Sequence, residues 1–260
     1  MSNSKKTVAI IEARMGSSRL PGKVLMDIGG VPALRILCDR LHTCKRIDEV
    51  IIATSVNSAD QAIADFGKSN GIKVFRGSED DVLGRVVGAA EFAAADVIVE
   101  ITGDCPLMDP EVVDHVTGFF LDNYPEFDYV TNIGYVANEK REIPIGMDVR
   151  VFTYNDLKHI SEITNDPEDR EHVSLYFFRT GKDKYKLKNL PVPENWKRAY
   201  PVRIALDTED DLNFIRTLYE GLKKAGSGSG LSDILNYIDN NPEILKLNSE
   251  VVQKKVSGID

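Results

Sequence analysis

Apolar residues recur along this chain in two alternating rhythms. Residues 8–13, 50–54, 72–75 and 97–102 are short β-branched runs bounded by polar residues or glycine, the pattern of strands buried on both faces. Between them the spacing turns helical. Residues 33–44 place Leu34, Leu37, Cys38 and Leu41 on one face behind Pro32. Ser58 reads as the cap of a helix over 59–69, with Gly71 just past its end. Residues 81–94 and 111–121 continue the alternation. Strand–helix–strand order predicts an α/β fold, a mostly parallel sheet flanked by helices, with ligands at the carboxyl ends of the strands.

The second half is less regular. Residues 129–132 and 147–152 read as further strands, and 133–144 as an excursion or hairpin arm between them. Two more strands are expected over 186–192 and 202–206, followed by an amphipathic helix over 208–224 with Leu212, Ile215, Leu218 and Leu222 in register. The run Gly226-Ser227-Gly228-Ser229-Gly230 resembles a flexible hinge. It divides the sequence into a main domain, 1–225, and a tail, 226–260, that carries a short helix over 231–240.

Chemistry gathers first after the opening strand, in Ala13-Arg14-Met15-Gly16-Ser17-Ser18-Arg19-Leu20-Pro21-Gly22-Lys23. A strand that empties into glycines, serines and three cations has the make-up of a triphosphate cradle. Gly16 and Gly22 let backbone N–H groups approach an anion, while Arg14, Arg19 and Lys23 supply charge. Neither common phosphate fingerprint is present, because Lys23 is followed by Val24 and no Gly-x-Gly-x-x-Gly occurs.

Composition sharpens this reading. With 41 acidic residues against 32 Lys and Arg, the net charge is −9, which excludes a generic nucleic-acid or anionic-membrane binder. The cations of the first loop are therefore local. Cys38, Cys44 and Cys105 form no paired ligand set and leave one thiol over in any disulfide scheme, so a reduced, cytoplasmic protein is expected. The start of the chain is polar and short, and no run reaches spanning length.

Two carboxylates stand where strands end. Asp104, in Thr102-Gly103-Asp104-Cys105-Pro106-Leu107, is placed to hold Mg²⁺, since Asp109-Pro110 is the better cap for the next helix. Asp207 precedes Thr208-Glu209-Asp210-Asp211-Leu212, where Thr208 can cap the helix and leave Asp207 to the metal.

The opening loop, the Gly103–Leu107 segment and the Leu206–Leu212 segment together resemble the three signature segments of the sugar-acid cytidylyltransferases, which include the synthetases of CMP-Kdo and CMP-sialic acid. Phe75-Arg76-Gly77-Ser78-Glu79-Asp80-Asp81-Val82-Leu83 and Asp169-Arg170-Glu171-His172-Val173 are similar to the spore-coat polysaccharide (SpsF-like) branch. The resemblance implies the Rossmann-like nucleotide-diphospho-sugar transferase fold, and a reaction of CTP with a hydroxylated acid to give a CMP-conjugate and pyrophosphate in surface-polysaccharide or glycan precursor synthesis. On it, Arg14, Ser17, Arg19 and Lys23 grip the triphosphate, with Arg14 and Lys23 stabilising the transition state and Asp104 and Asp207 holding Mg²⁺. Ala13, Gly16, Thr54, Ser55, Arg76, Asp80 and Gly103 complete the nucleotide site, and Asp148, Arg170 and His172 meet the acceptor. Sialic-acid members carry a second aspartate two positions before the one matching Asp207; here that position is Ala205, so a sialic-acid substrate is not implied.

Other readings remain open to the sequence. A nucleotidyltransferase using another nucleotide or a sugar-phosphate acceptor would share the loop, and so would a CTP-binding module without turnover, although the latter has no need of Asp104 and Asp207. A glycosyltransferase would want an Asp-x-Asp pair that Gly103-Asp104-Cys105 does not offer. His172 sits among Val173, Leu175 and Tyr176 and can equally be a structural histidine. Relatives of this kind exchange an arm across a homodimer, and the apolar residues Ile133, Tyr135, Val136, Ile143 and Ile145 suggest the same contact here.

Overall fold

A computed structural model describes residues 5–134, 141–198 and 200–253. The first strand, β1 (Thr7–Glu12), is an interior strand, third from one edge, of a seven-stranded sheet. On one side it pairs with β4 (Glu49–Ser55), which pairs with β5 (Lys73–Gly77); on the other it pairs with β6 (Val97–Thr102), all parallel. A small antiparallel pair, β2 (Asp27–Ile28) and β3 (Val31–Pro32), stands apart from this sheet. Beyond β6 come β8 (Arg150–Thr153), β7 (Tyr129–Thr131) and β9 (Leu187–Asn189). Strand β8 runs against both neighbours, while β7 and β9 are parallel to each other. The chain moves outward from β1 through β4 to β5, then returns to place β6 beside β1. The resulting switch point is where an open α/β sheet leaves a crevice beyond its strand ends.

Alternation in β1 divides its side chains between two cores. Ala9 and Ile11 face one layer with helices α1 (Ala33–Leu41), α2 (Gln61–Asn70), α4 (Pro110–Asp122) and α8 (Glu209–Ala225). Val8 and Ile10 face the other, with α3 (Val82–Phe92), α5 (Tyr154–Ile163) and α7 (Leu175–Phe178). Complete burial of Ile10, Ile11 and Ile51 contributes about 1.5–3 kcal/mol for each side chain. Such a centre is rigid enough to position loops at its carboxyl edge.

Helix ends follow the expected chemistry with local differences. Asp109 caps α4 by accepting from Glu111 N at 2.8 Å, and Thr208 forms a capping box with Asp211 on α8. The cap before α2 is Asn57 rather than Ser58: its side chain accepts from Ala59 N and starts a 3-10 turn, Ser58–Asp60, that leads into the helix. Gly71 ends α2 in the left-handed region at φ 68°.

Two expected strands are shortened or replaced. Only 187–189 of the 186–192 run pairs, and residues 202–206 form an extended segment with a single bridge, Ile145 to Arg203. Ile204 N donates to Ile145 O, and Leu206 N donates to Asp104 O at 2.8 Å. That last bond sets residue 207 beside Asp104. After α8, Gly226 turns the chain at φ 61°, and α9 (Leu231–Asn240) buries Leu231, Ile234, Leu235 and Ile238 in the same core as α8.

Of the expected arm, Tyr135 and Val136 lie outside the described residues. Ile133 and Ile143 are buried within this chain, at 1% and 3% exposure. Their apolar surface is satisfied without a neighbour. Among the described residues, no helix is long and apolar enough to cross a membrane.

Candidate active site

The crevice over β1 and β6 is a cleft of about 310 Å³. One wall is the loop after β1, contributing Ala13, Arg14, Ser17, Arg19 and Lys23; the floor carries Glu12, Gly103 and Asp104; Asp207 and His172 close the sides. Gly103 permits the close approach of the two strand ends. Its N–H donates to Glu12 O at 2.8 Å, and a Cβ there would fall 2.7 Å from that same oxygen.

The loop is shaped by Met15, whose carbonyl accepts from Ser17 N and Gly22 N. Gly22 adopts φ 74°, a conformation that costs glycine little. Its N–H is thus engaged within the loop rather than presented to an anion. Gly22 earns its place as the turn that starts the 3-10 segment Lys23–Leu25 and aims Lys23 inward.

Lys23 is 9% exposed, and its Nζ donates to Asp104 Oδ2 at 2.9 Å and to Asp207 Oδ1 at 2.7 Å. One ammonium therefore joins two carboxylates that are far apart in sequence. Burial opposes the charge on Lys23, but Asp104 and Asp207 outweigh it and hold its pKa above the ordinary lysine value. Burial likewise opposes ionisation of Asp104, yet Lys23 prevails and holds that carboxyl below its usual range.

Asp207 has further partners. Arg19 Nη2 approaches its Oδ2 at 3.0 Å, and Arg203 Nη2 reaches the same oxygen. Arg203 also binds the fully buried Asp211 through Nε at 2.9 Å, and Asn248 donates to Asp211 at 3.1 Å. Three cations, Arg19, Lys23 and Arg203, thus balance three carboxylates, Asp104, Asp207 and Asp211. A polyanion entering with a divalent cation could exchange partners with this set: phosphate for the carboxylates on Arg19 and Lys23, cation for the ammonium on Asp104 and Asp207.

Several expected contacts lie elsewhere. Arg76 donates to Ser55 O at 3.0 Å and Asn57 O at 2.9 Å, bracing the turn after β4 rather than lining the cleft. Thr54 and Ser55 are buried at the end of β4. Gly16 is exposed, and Asp80 is exposed next to Asp81, which caps α3 through Gly84 N at 2.9 Å. Arg170 pairs with Asp81 and donates to Ser161 O at 2.7 Å, joining α3 to helix α6 (Pro167–Glu171). Asp148 pairs with Arg141. Of the three expected acceptor contacts, His172 lines the cleft.

Asp60, Arg203 and Arg85 were not singled out from sequence. Asp60, 2% exposed, accepts from Met15 N at 2.7 Å and from Ser55 N and Oγ, tying the loop after β1 to the end of β4. Its signal is an acidic residue at the end of Asn57-Ser58-Ala59-Asp60. Arg203 interrupts an apolar run with aspartates four and eight positions on. Arg85 is an arginine on the apolar face of α3.

Glu12, at the floor of the cleft, is strongly perturbed. Burial, then Glu100 on the neighbouring strand, raises its pKa to about 8, against the pull of Arg85 and Arg150. The folded protein therefore holds a proton that the unfolded chain releases near pH 4.5. Stability contributed here is complete at low pH and declines as pH rises toward 8. Glu12→Gln is expected to flatten that decline, with a higher melting midpoint than wild type at pH 8.5; parallel pH–melting curves for the two proteins would contradict it.

Comparison with known proteins identifies the family of this chain. The profile of a family described as cytidylyltransferase matches residues 8–228. An uncharacterized protein of Methanocaldococcus jannaschii is 36% identical over 98% of this chain and 99% of its own length. The spore coat polysaccharide biosynthesis protein SpsF of Bacillus subtilis is 35% identical over 90% of this chain and 94% of its own. A cytidylyltransferase structure from Leptospira borgpetersenii superposes with a TM-score of 0.84 at 29% identity, covering 96% of this chain and all of that one. A CMP-2-keto-3-deoxy-manno-octonic acid synthetase complexed with CTP shares the fold, with a TM-score of 0.60 at 21% identity over 83% of this chain and 98% of its own. The chain that brings the cationic loop, Asp104 and Asp207 together in a parallel-sheet crevice belongs to the cytidylyltransferase family.

Proposed function

We propose that the protein transfers CMP from CTP to a hydroxyl group of a hydroxylated acid, a sugar acid or phospho-acid, and releases pyrophosphate. The observation that carries this reading is the Lys23 ammonium shared by Asp104 and Asp207 at one end of a cationic loop. The acceptor oxygen bonds to the α-phosphorus as the bond from that phosphorus to the oxygen bridging to the β-phosphate breaks. The acceptor's hydroxyl proton passes to solvent, and pyrophosphate carries away the electron pair of the broken bond. Arg14, Ser17, Arg19 and Lys23 position the triphosphate and offset the negative charge that builds on the leaving group. Arg14 lines the cleft, which leaves it available to the phosphates.

Asp104 and Asp207 suit Mg²⁺. They offer hard carboxylate oxygens that meet at the Lys23 ammonium. A two-carboxylate site leaves the remaining positions to water and phosphate, as Mg²⁺ prefers. When bound, the ion would neutralise charge on the triphosphate. His172, which lines the cleft, is assigned to the acceptor, while Arg170 and Asp148 are engaged with Asp81 and Arg141 and support the walls. The chain's place beside a spore coat polysaccharide biosynthesis protein fits an acceptor destined for a surface glycan. A homodimer stays part of the proposal, with Ile133 and Ile143 buried inside each subunit rather than between the two, and sedimentation should then give a mass near twice 28.9 kDa.

A nucleotide panel tests the reaction. With Mg²⁺ and a set of sugar acids and phospho-acids, pyrophosphate should appear from CTP in preference to UTP, ATP and GTP. Equal release from every nucleotide, or none with any acid, would overturn the proposal.

A further inference from the structure

The tail continues beyond α9 in a 3-10 turn, Pro242–Leu247, that buries Ile244 in the core shared by α8 and α9. It lies past residue 228, where the match to the family stops. Its next residue, Asn248, is 6% exposed and spends both donors of its amide on one corner of the site. Nδ2 donates to Arg203 O at 3.2 Å and to Asp211 Oδ1 at 3.1 Å. Further on, Gln253 Oε1 accepts from Arg203 Nη1.

Arg203 and Asp211 are the residues that hold Asp207. Asp211 Oδ2 accepts from Asp207 N at 3.0 Å and fixes its backbone. Arg203 spans the two carboxylates, with Nε on Asp211 at 2.9 Å and Nη2 on Asp207 Oδ2 at 2.5 Å, and fixes its side chain. The two oxygens of Asp207 are thereby divided: Oδ1 faces Asp104 across Lys23, while Oδ2 is tied to Arg203. Among the described residues three cations meet Asp207. Arg19 and Lys23 belong to the phosphate-binding loop and are the ones that a triphosphate would draw away. Arg203 is 7% exposed and committed to Asp211 as well, so it is the partner that stays.

We infer that Asn248 is a positioning residue for the reaction, acting through Arg203 and Asp211 to keep Asp207 Oδ1 turned toward Asp104, so that the two carboxylates can take a divalent cation in place of the Lys23 ammonium. This deepens the CTP and Mg²⁺ reading given above and rests on it. A small cation that demands strict geometry tolerates little displacement of either carboxylate, and the groups that orient its ligands govern its affinity. The tail is then a working part of the active site: the loop after β1 supplies the charges that meet phosphate, and Asn248 sets the carboxylate that meets the metal.

Asn248→Ala tests this without altering any charge. Calorimetric titration without acceptor measures CTP binding in the presence and absence of Mg²⁺, with inorganic tripolyphosphate in metal-free buffer as the control. In wild type, Mg²⁺ should tighten CTP binding at least about tenfold. In Asn248→Ala that gain should shrink to about threefold or less, while metal-free CTP and tripolyphosphate bind as in wild type. Arg203→Lys keeps the charge but cannot span Asp207 and Asp211 together, and should lose the gain likewise. In turnover, the Mg²⁺ concentration for half-maximal rate should rise at least about fivefold in Asn248→Ala, with kcat at saturating Mg²⁺ within about twofold of wild type. Should Asn248→Ala fail to fold, Asn248→Ser keeps one donor and should at least halve the gain. A gain unchanged in these variants would overturn the inference. So would metal-free and Mg²⁺-bound affinities that fall together, the mark of a structural residue. Both results leave the CTP reading intact. Wild-type CTP affinity indifferent to Mg²⁺ would instead count against the metal reading itself.

Discussion

Replacing Lys23 by alanine is expected to lower kcat at least about tenfold, because a single charge-assisted contact to a developing phosphate charge is worth more than a kilocalorie. Lys23 has little freedom to be replaced by a neighbour. Its stem is buried, and its ammonium is the point at which Asp104 and Asp207 meet. Arg19 already contacts Asp207 but belongs to the more exposed part of the loop. The variant leaves the two carboxylates without their shared cation, so a melting curve must accompany the kinetics. A folded Lys23→Ala enzyme that releases pyrophosphate at the wild-type rate would remove Lys23 from the chemistry.

Asp104→Asn should have an effect of at least the same size, accompanied by a higher Mg²⁺ requirement. Lys23 keeps the Asp104 carboxyl ionised well below neutral pH, so the charge lost in this variant is one present throughout the working range. Asparagine preserves the shape and one acceptor oxygen, which separates loss of charge from loss of packing. EDTA should stop turnover in the wild type and added Mg²⁺ should restore it. Full activity in EDTA would contradict the metal assignment.

Much of this site can be read from sequence because its parts end strands. The loop after β1 and Asp104 after β6 follow β-branched runs that are unambiguous, and parallel pairing brings their ends together. Asp207 was reached by a similar argument although its segment is not a strand. One backbone bond from Leu206 N to Asp104 O does what a ladder was expected to do. What sequence reading missed is the support behind these residues. Arg203 lies in an apolar run whose period says nothing about a charged member, and its partners come from two other places, Asp207 and Asp211 at the start of α8 and Asn248 in the tail. Arg85 was invisible for the same reason, as a long cation on a helix face that otherwise packs into the core. Helices α6 and α7, at five and four residues, are too short for a helical period to show, whereas α5 is as long as α2 and its signal was the Thr153 cap. Arg76, Asp80 and Arg170 show the converse difficulty. A motif names the residues near a site, and here Asp81 and the turn after β4 show which of them brace the walls.

The central claim is that this cleft moves CMP, and not pyrophosphate or the whole nucleotide, onto an acid's hydroxyl. Incubation with CTP carrying a labelled α-phosphate, Mg²⁺ and the acceptor found in the panel measures this directly. The label should pass into an acid conjugate at one equivalent for each unlabelled pyrophosphate released, and neither product should form without acceptor. Label remaining in CTP, or appearing as free CMP at a rate indifferent to the acceptor, would contradict the account.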